Sequence, residues 1–143
     1  MLNRELSAGY LTNWAGRLLI RTISPKLEAH GLSVGYLPVF FTLTENPKLS
    51  QKRIAEIIEV EQPTMAATLA RMERDGLIVR TPDPTDGRSA LISLTAKARE
   101  KLSIVERAVN ETNDLALSGL KPAERKQFFE MMKRIVVALG GDL

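Results

Sequence analysis

The sequence contains no cysteine and only one histidine, His30, among its 143 residues. The first absence removes disulfides, thiolate metal sites, thiolate nucleophiles and cysteine-based redox sensing together, so any signal this chain senses is not read by its own thiol. The second leaves no histidine cluster or triad for one chain to assemble, and neither a metal, a cofactor nor an enzymatic activity is expected. No apolar run approaches the roughly 18 residues of a membrane span. The opening MLNRELSAGYLTNW lacks a basic segment followed by a continuous apolar stretch, and the expectation is a soluble, cytoplasmic protein. No segment is low in complexity or repeats at a fixed period. Charge of one sign is scarce too: 20 Lys and Arg against 17 Asp and Glu leave +3, a mild pull toward polyanions in which placement matters more than total. The length suits one domain spanning 1–143, able to bury about two-thirds of its unfolded surface without staples.

What is present is helical periodicity. Leu6, Tyr10, Leu11, Trp14, Leu18 and Leu19 recur at helical spacing, predicting an amphipathic helix over 4–29. Pro25 deletes a backbone donor and crowds the preceding turn, which predicts a kink or break near Ser24. Gly31 suits the helix end, and Ser33 can cap a second helix through Val39, Phe40, Phe41 and Leu43 to Glu45, which Asn46-Pro47 ends. Near the other terminus Thr95 can cap a long helix through Leu102, Ile104, Val105, Ala108 and Val109 toward Leu117. Lys121-Pro122 then opens a last helix bearing Phe128, Phe129, Met132, Ile135, Val136 and Leu139. Such terminal helices cannot all hide their apolar stripes within one slim chain, so residues 1–30 and 100–143 are expected to form a dimerisation layer. The plain alternative is a self-contained helical subdomain.

The stretch 33–95 carries a different pattern. Ser50 can cap a third helix whose Ile54, Ala55 and Ile58 share one face, and Glu59 stands at the following corner, where positive φ favours glycine. Val60 plugs that corner. In the fourth helix Met65, Leu69 and Met72 recur at i, i+4 and i+7 and are predicted to pack inward. The remaining face holds Gln62, Pro63, Thr64, Ala67, Thr68 and Arg71, with almost no large apolar side chain. It reads either as a solvated surface or as a reader of base edges, where Thr64 offers both a hydroxyl and a methyl. After Gly76, Leu77 to Arg80 and Ala90 to Leu94 read as strands bracketing the turn chemistry of Pro82 to Gly87. Arg88 then lies at a hairpin tip or on its rising edge, able to enter a narrow minor groove or to pair with Asp83 or Asp86. The fold class expected is mainly α with a small β-hairpin wing, a winged helix-turn-helix over 33–95 flanked by the dimerisation helices.

These residues resemble the MarR family of bacterial winged-helix transcription regulators. The resemblance rests on HGLS after the first helix, on QKRIAEIIEVEQPTMAATLARMERDGLI, and on DPTDGRSALISLT with its D-x-R and Leu-Thr ending. It implies a homodimer on a palindromic operator of double-stranded DNA, usually a repressor relieved by a small, often phenolic or anionic, ligand. By position it implies recognition-helix contacts at Gln62, Pro63, Thr64 and Thr68 and a wing pair at Asp86 and Arg88. Ala67 and Gly87 stand where relatives often carry basic residues, which implies a shallower salt dependence or another sequence preference.

For an effector, Trp14, Arg17, Arg21, His30 and Tyr36 could line a cavity suited to an aromatic carboxylate. Against this, Trp14 and Tyr36 read equally as packing residues, and His30 as a helix-end residue favoured by the C-terminal dipole. Two functional classes stay open: a sequence-specific DNA-binding regulator, and a winged-helix module whose face serves a protein partner.

Overall fold

The computed structural model describes residues 1–143. A short 3₁₀ turn, Arg4–Leu6, precedes α1, Ala8–Glu28. The long helix thus starts later than its periodicity predicts, because the Ser7 hydroxyl accepts from the Tyr10 amide at 3.2 Å and caps it. Pro25 does not break it. The carbonyl that lost its donor belongs to exposed Arg21, where water can serve, while buried Ile23 and Leu27 anchor both halves to the core. Gly31 closes the helix at φ 71°, with the Leu32 amide reaching back to the Leu27 carbonyl.

Ser33 caps a single 3₁₀ turn, Val34–Tyr36, rather than the second helix itself; α2 follows at Leu37–Glu45. Next come β1, Leu49–Ser50; α3, Gln51–Ile58; α4, Gln62–Arg74; β2, Ile78–Asp83; and β3, Asp86–Leu94. The two long strands reach further than alternation predicts, leaving only Pro84 and Thr85 between them. The hairpin is also one member of a three-stranded antiparallel sheet in the order β1-β3-β2, with Leu49 opposite Ile92. At two residues, β1 is too short to leave a periodic signal. Two helices complete the chain: α5, Ala96–Ala116, capped as expected by Thr95, and α6, Pro122–Ala138. No helix is long and apolar enough to cross a membrane.

The core lies where α2, α3, α4 and the sheet meet the end of α1 and the start of α5. Val39, Ile54, Leu69, Met72, Leu77 and Ile92 are fully enclosed there, with Leu27 closing the side toward α1. α6 contributes no buried residue. The accessible surface is 10053 Å², whereas a compact monomer of 15.9 kDa would expose about 7,400 Å². Much of the excess is apolar, from Leu11, Trp14, Leu18 and Leu19 on α1 to Phe128, Phe129, Ile135 and Val136 on α6.

Candidate nucleic-acid interface

The corner between α3 and α4 is made at a conformational cost. Glu59 adopts φ 60°, ψ 48°, the left-handed region, without being glycine. It allows the Val60 amide to reach the Ala55 carbonyl at 3.1 Å and leaves Val60 half-buried in the corner. No side chain caps α4, whose preceding residue Glu61 is extended. The first-turn amides of Gln62 and Thr64 therefore stay open to an outside acceptor, and Pro63 between them has none to satisfy.

Gln62, Pro63, Thr64, Ala67 and Arg71 are exposed on α4, while Met65, Leu69 and Met72 are buried. Thr68 departs from the expected face: it is only 8% exposed. Its position three residues after Met65 and four before Met72 places it on the inward stripe, and its hydroxyl accepts from the Arg71 guanidinium at 3.4 Å. Thr68 orients Arg71 from below rather than sharing its surface.

The far end of α4 is clamped. Gly76 turns the chain at φ 73°, and its carbonyl accepts from the Thr95 hydroxyl at 2.6 Å. Asp75 accepts from the Tyr36 hydroxyl at 2.6 Å and from the Arg74 guanidinium at 2.9 Å. Those two bonds, Arg74's first, hold the Asp75 carboxyl below the usual range; burial, reinforced by the same bond, raises the Tyr36 phenol.

At the wing tip, Asp83 accepts from the Thr85 amide and hydroxyl at 2.9 and 2.8 Å, which lowers its pKa. Asp86 accepts from the Arg88 amide at 3.0 Å. Both carboxylates are thus engaged by the loop's own backbone. The ion pair expected between the Arg88 guanidinium and Asp83 or Asp86 is absent, and Arg88 is exposed with no acidic partner. Lys48, Lys52 and Arg71 are likewise exposed cations without one.

A second set of contacts escaped the sequence reading. Arg80 on β2 binds Glu73 of α4 at 3.0 Å and Gln51 of α3 at 3.4 Å, and Gln51 binds Gln62 at 3.5 Å. Arg80 appears in sequence only as a strand end, and nothing in a linear pattern signals that four residues from three elements converge.

The five expected effector residues do not converge. Trp14 stacks edge-to-face with Tyr10 at 6.0 Å beneath Arg4, Arg17 bonds Asn13 one turn away, and Arg21 is exposed. Tyr36 is buried and committed to Asp75. Only His30 lines one of the main hollows, a polar notch of about 230 Å³ shared with Asp75, Lys97 and Lys101. Helix spacing put Trp14, Arg17 and Arg21 on one element, but the end of α1 turns toward the core while its beginning projects away from it. The larger hollows lie elsewhere. One of about 420 Å³ separates α2 from α5 along Phe40, Phe41 and Val105; another of about 540 Å³ lies between α1, α5 and α6, lined by Leu18, Leu19, Phe128 and Phe129.

Comparison with known proteins gives a consistent result. The model of the MarR family matches residues 30–89. The HTH-type transcriptional regulator BilQ of Clostridium symbiosum (strain WAL-14163) is 26% identical over 110 residues, 77% of this chain and 76% of its own length. The transcriptional repressor CouR, solved bound to a 23-mer DNA duplex, superposes with a TM-score of 0.84 at 26% identity, covering 95% of this chain and 99% of that one. PcaV from Streptomyces coelicolor, solved with its natural ligand, has the same fold at a TM-score of 0.77 and 24% identity, covering 97% and 98%.

Proposed function

We propose, on the premise that this chain belongs to the MarR family of winged-helix transcription regulators, that it acts as a homodimer on an inverted-repeat operator and represses until a small aromatic or anionic ligand releases it. The family is one of DNA-binding regulators, not enzymes. In this reading residues 33–95 hold the DNA, and residues 1–30 and 100–143 hold the second copy. α4 lies in the major groove, with Gln62, Pro63 and Thr64 at the base edges, Ala67 small enough for close approach and Arg71 at a phosphate. Arg88 enters the neighbouring minor groove from a wing tip that Asp86 helps to fix. Work on DNA would keep the protein in the cytoplasm.

The observation that carries this proposal is the state of Arg88. Two carboxylates, Asp83 and Asp86, stand within five residues of this exposed guanidinium and could pair with it. Both are turned onto backbone amides, so the cation is left for an outside anion. Support for the second copy comes from the apolar stripes of α1 and α6, which a two-fold partner would cover. Two reading heads would then sit about 34 Å apart, one turn of duplex. Support for a ligand is the hollow of about 420 Å³ between α2 and α5, which those stripes do not line; Arg17→Ala and Arg21→Ala test whether α1's arginines take part, by ligand-induced release measured beside dimer stability.

The direct test is selection of duplexes from a random pool by the purified protein. The proposal expects an inverted repeat bound with an affinity that falls steeply with salt. Equal, weak affinity for every duplex would overturn it in favour of a protein-binding face.

A further inference from the structure

The polar contacts that link the two ends of α4 through Arg80 and Gln51 form a chain that can run in only one direction. The Arg80 guanidinium donates through Nε to Glu73 Oε2 at 3.0 Å and through Nη1 to Gln51 Oε1 at 3.4 Å. Gln51 in turn donates through Nε2 to Gln62 Oε1 at 3.5 Å. A guanidinium carries donors and no acceptor, so the group that Gln51 turns toward Arg80 must be its oxygen. Its amide nitrogen is then what faces Gln62, and Gln62 must answer with its own oxygen. Flipping either amide would set donor against donor or acceptor against acceptor. Gln62 is exposed in the first turn of α4, and its Nε2 has no partner within the chain.

From this polarity we propose that Arg80 and Gln51 are specificity-determining residues that fix Gln62 as a hydrogen-bond donor toward the base it meets. The proposal rests on the DNA-reading role of α4 given above. A glutamine free to turn pairs bidentately with adenine, accepting from N6 while donating to N7. With Oε1 turned onto Gln51, the group that Gln62 turns outward is Nε2, a donor. It then selects bases that present a major-groove acceptor, guanine through O6 and N7, thymine through O4 or adenine through N7, and rejects cytosine, whose N4 is a donor. Neither Arg80 nor Gln51 touches DNA in this account. Glu73 completes the device by holding the guanidinium in place.

Selection from a random duplex pool tests this with four proteins: the natural chain, Gln62→Ala, Gln51→Glu and Arg80→Ala. Gln62→Ala identifies the base position by erasing a preference there, and the natural chain selects against cytosine at it. Gln51→Glu keeps one oxygen for Arg80 and turns the other on Gln62, which must then point Nε2 inward and Oε1 outward. Cytosine is then admitted while guanine and thymine are disfavoured, their ratio to cytosine changing by about tenfold or more. A carboxylate in the first turn of α3 suits the helix dipole, so this variant melts close to the natural chain. Arg80→Ala frees Gln51 and relaxes the position, while the slope of affinity against salt stays that of the natural chain because no phosphate contact is lost.

An unchanged preference in Gln51→Glu overturns the proposal. If that variant melts early, a strict exclusion of cytosine kept by Arg80→Ala overturns it equally, as does a salt slope reduced by about one in Arg80→Ala, which marks a phosphate contact. Gln62→Ala with every preference intact shows that Gln62 reads nothing and overturns it too. Failure of the natural chain to prefer any duplex is a separate result, because it removes the DNA-reading role itself.

Discussion

The middle of this chain and its two ends treat apolar side chains in opposite ways. Between residues 33 and 95, Ile54, Leu69, Met72, Leu77 and Ile92 are enclosed within one copy. Along the seventeen residues of α6 not one side chain is buried, and the first half of α1 is similarly bare. Both regions have amphipathic helices, so the difference lies in what they meet. The middle region supplies its own lid: three helices and a sheet face each other across short connections. Beyond its core-facing end α1 lies against α5, α6 adds nothing to the core, and the outer stripes of both stay exposed. A closed core specifies its fold alone; a stripe covered by a second copy, as proposed above, would make stability depend on concentration.

Truncations in the two regions should therefore behave differently. Leu69→Ala is expected to cost about 2–5 kcal/mol in urea denaturation, because the enclosed site cannot collapse around the cavity. That loss should be the same at every protein concentration, apart from the mass-action term of pairing. Phe129→Ala, in contrast, should cost little within one copy and shift the balance between one and two chains, seen by sedimentation velocity across a dilution series. If Phe129→Ala destabilised equally at all concentrations, the contrast between the regions would be wrong.

The next effect concerns function within the closed region. Arg88→Ala should weaken operator binding by about 1–3 kcal/mol and leave thermal unfolding unchanged, since its guanidinium holds nothing in the fold. Unaltered affinity would remove the wing from the reading surface. Smaller still is Glu59→Gly, which relieves the left-handed corner and should stabilise the protein by about 0.5–1 kcal/mol. A lower melting temperature in that variant would mean that the Glu59 side chain contributes more than its backbone costs.

The smallest effect is a pH dependence inside the closed region, where Tyr36 meets Asp75. Asp75's folded pKa lies below its unfolded value, so its bonds support the fold above about pH 4 and are lost as pH falls through the folded value. Replacing Tyr36 with Phe removes one of those bonds. The melting temperature should then drop less between pH 7 and pH 3 than it does in the natural chain; an identical drop would detach this contact from acid stability.

The order and type of the helices were legible from apolar spacing and from Ser50, Thr95 and Lys121-Pro122, because these act within a few residues of where they stand. Pro25 misled for the same reason: locally it argues for a break, but burial of Ile23 and Leu27 on both sides outweighs one missing donor. Strand β1 and the buried position of Thr68 escaped because they depend on what lies opposite. The polar face of α4, proposed above to read DNA, was visible as an absence of large apolar residues, and the wing as turn residues between two alternating runs. What the sequence could not display was geometry between elements: the separation of Trp14 and Arg17 from Tyr36, and the convergence of Gln51, Gln62, Glu73 and Arg80. Arg88 was visible as a cation, yet its freedom was not, since that freedom follows from where the Asp83 and Asp86 oxygens turn.

The central claim is that two copies jointly present α4 and the wing to one duplex. Sedimentation velocity of the protein with the inverted repeat recovered from a random pool, titrated against a single half-site of the same sequence, tests it most directly. The account predicts two chains per full repeat, already paired in the absence of DNA at micromolar concentration, and much weaker binding to the half-site. One chain per duplex, with equal affinity for the half-site and the full repeat, would contradict it.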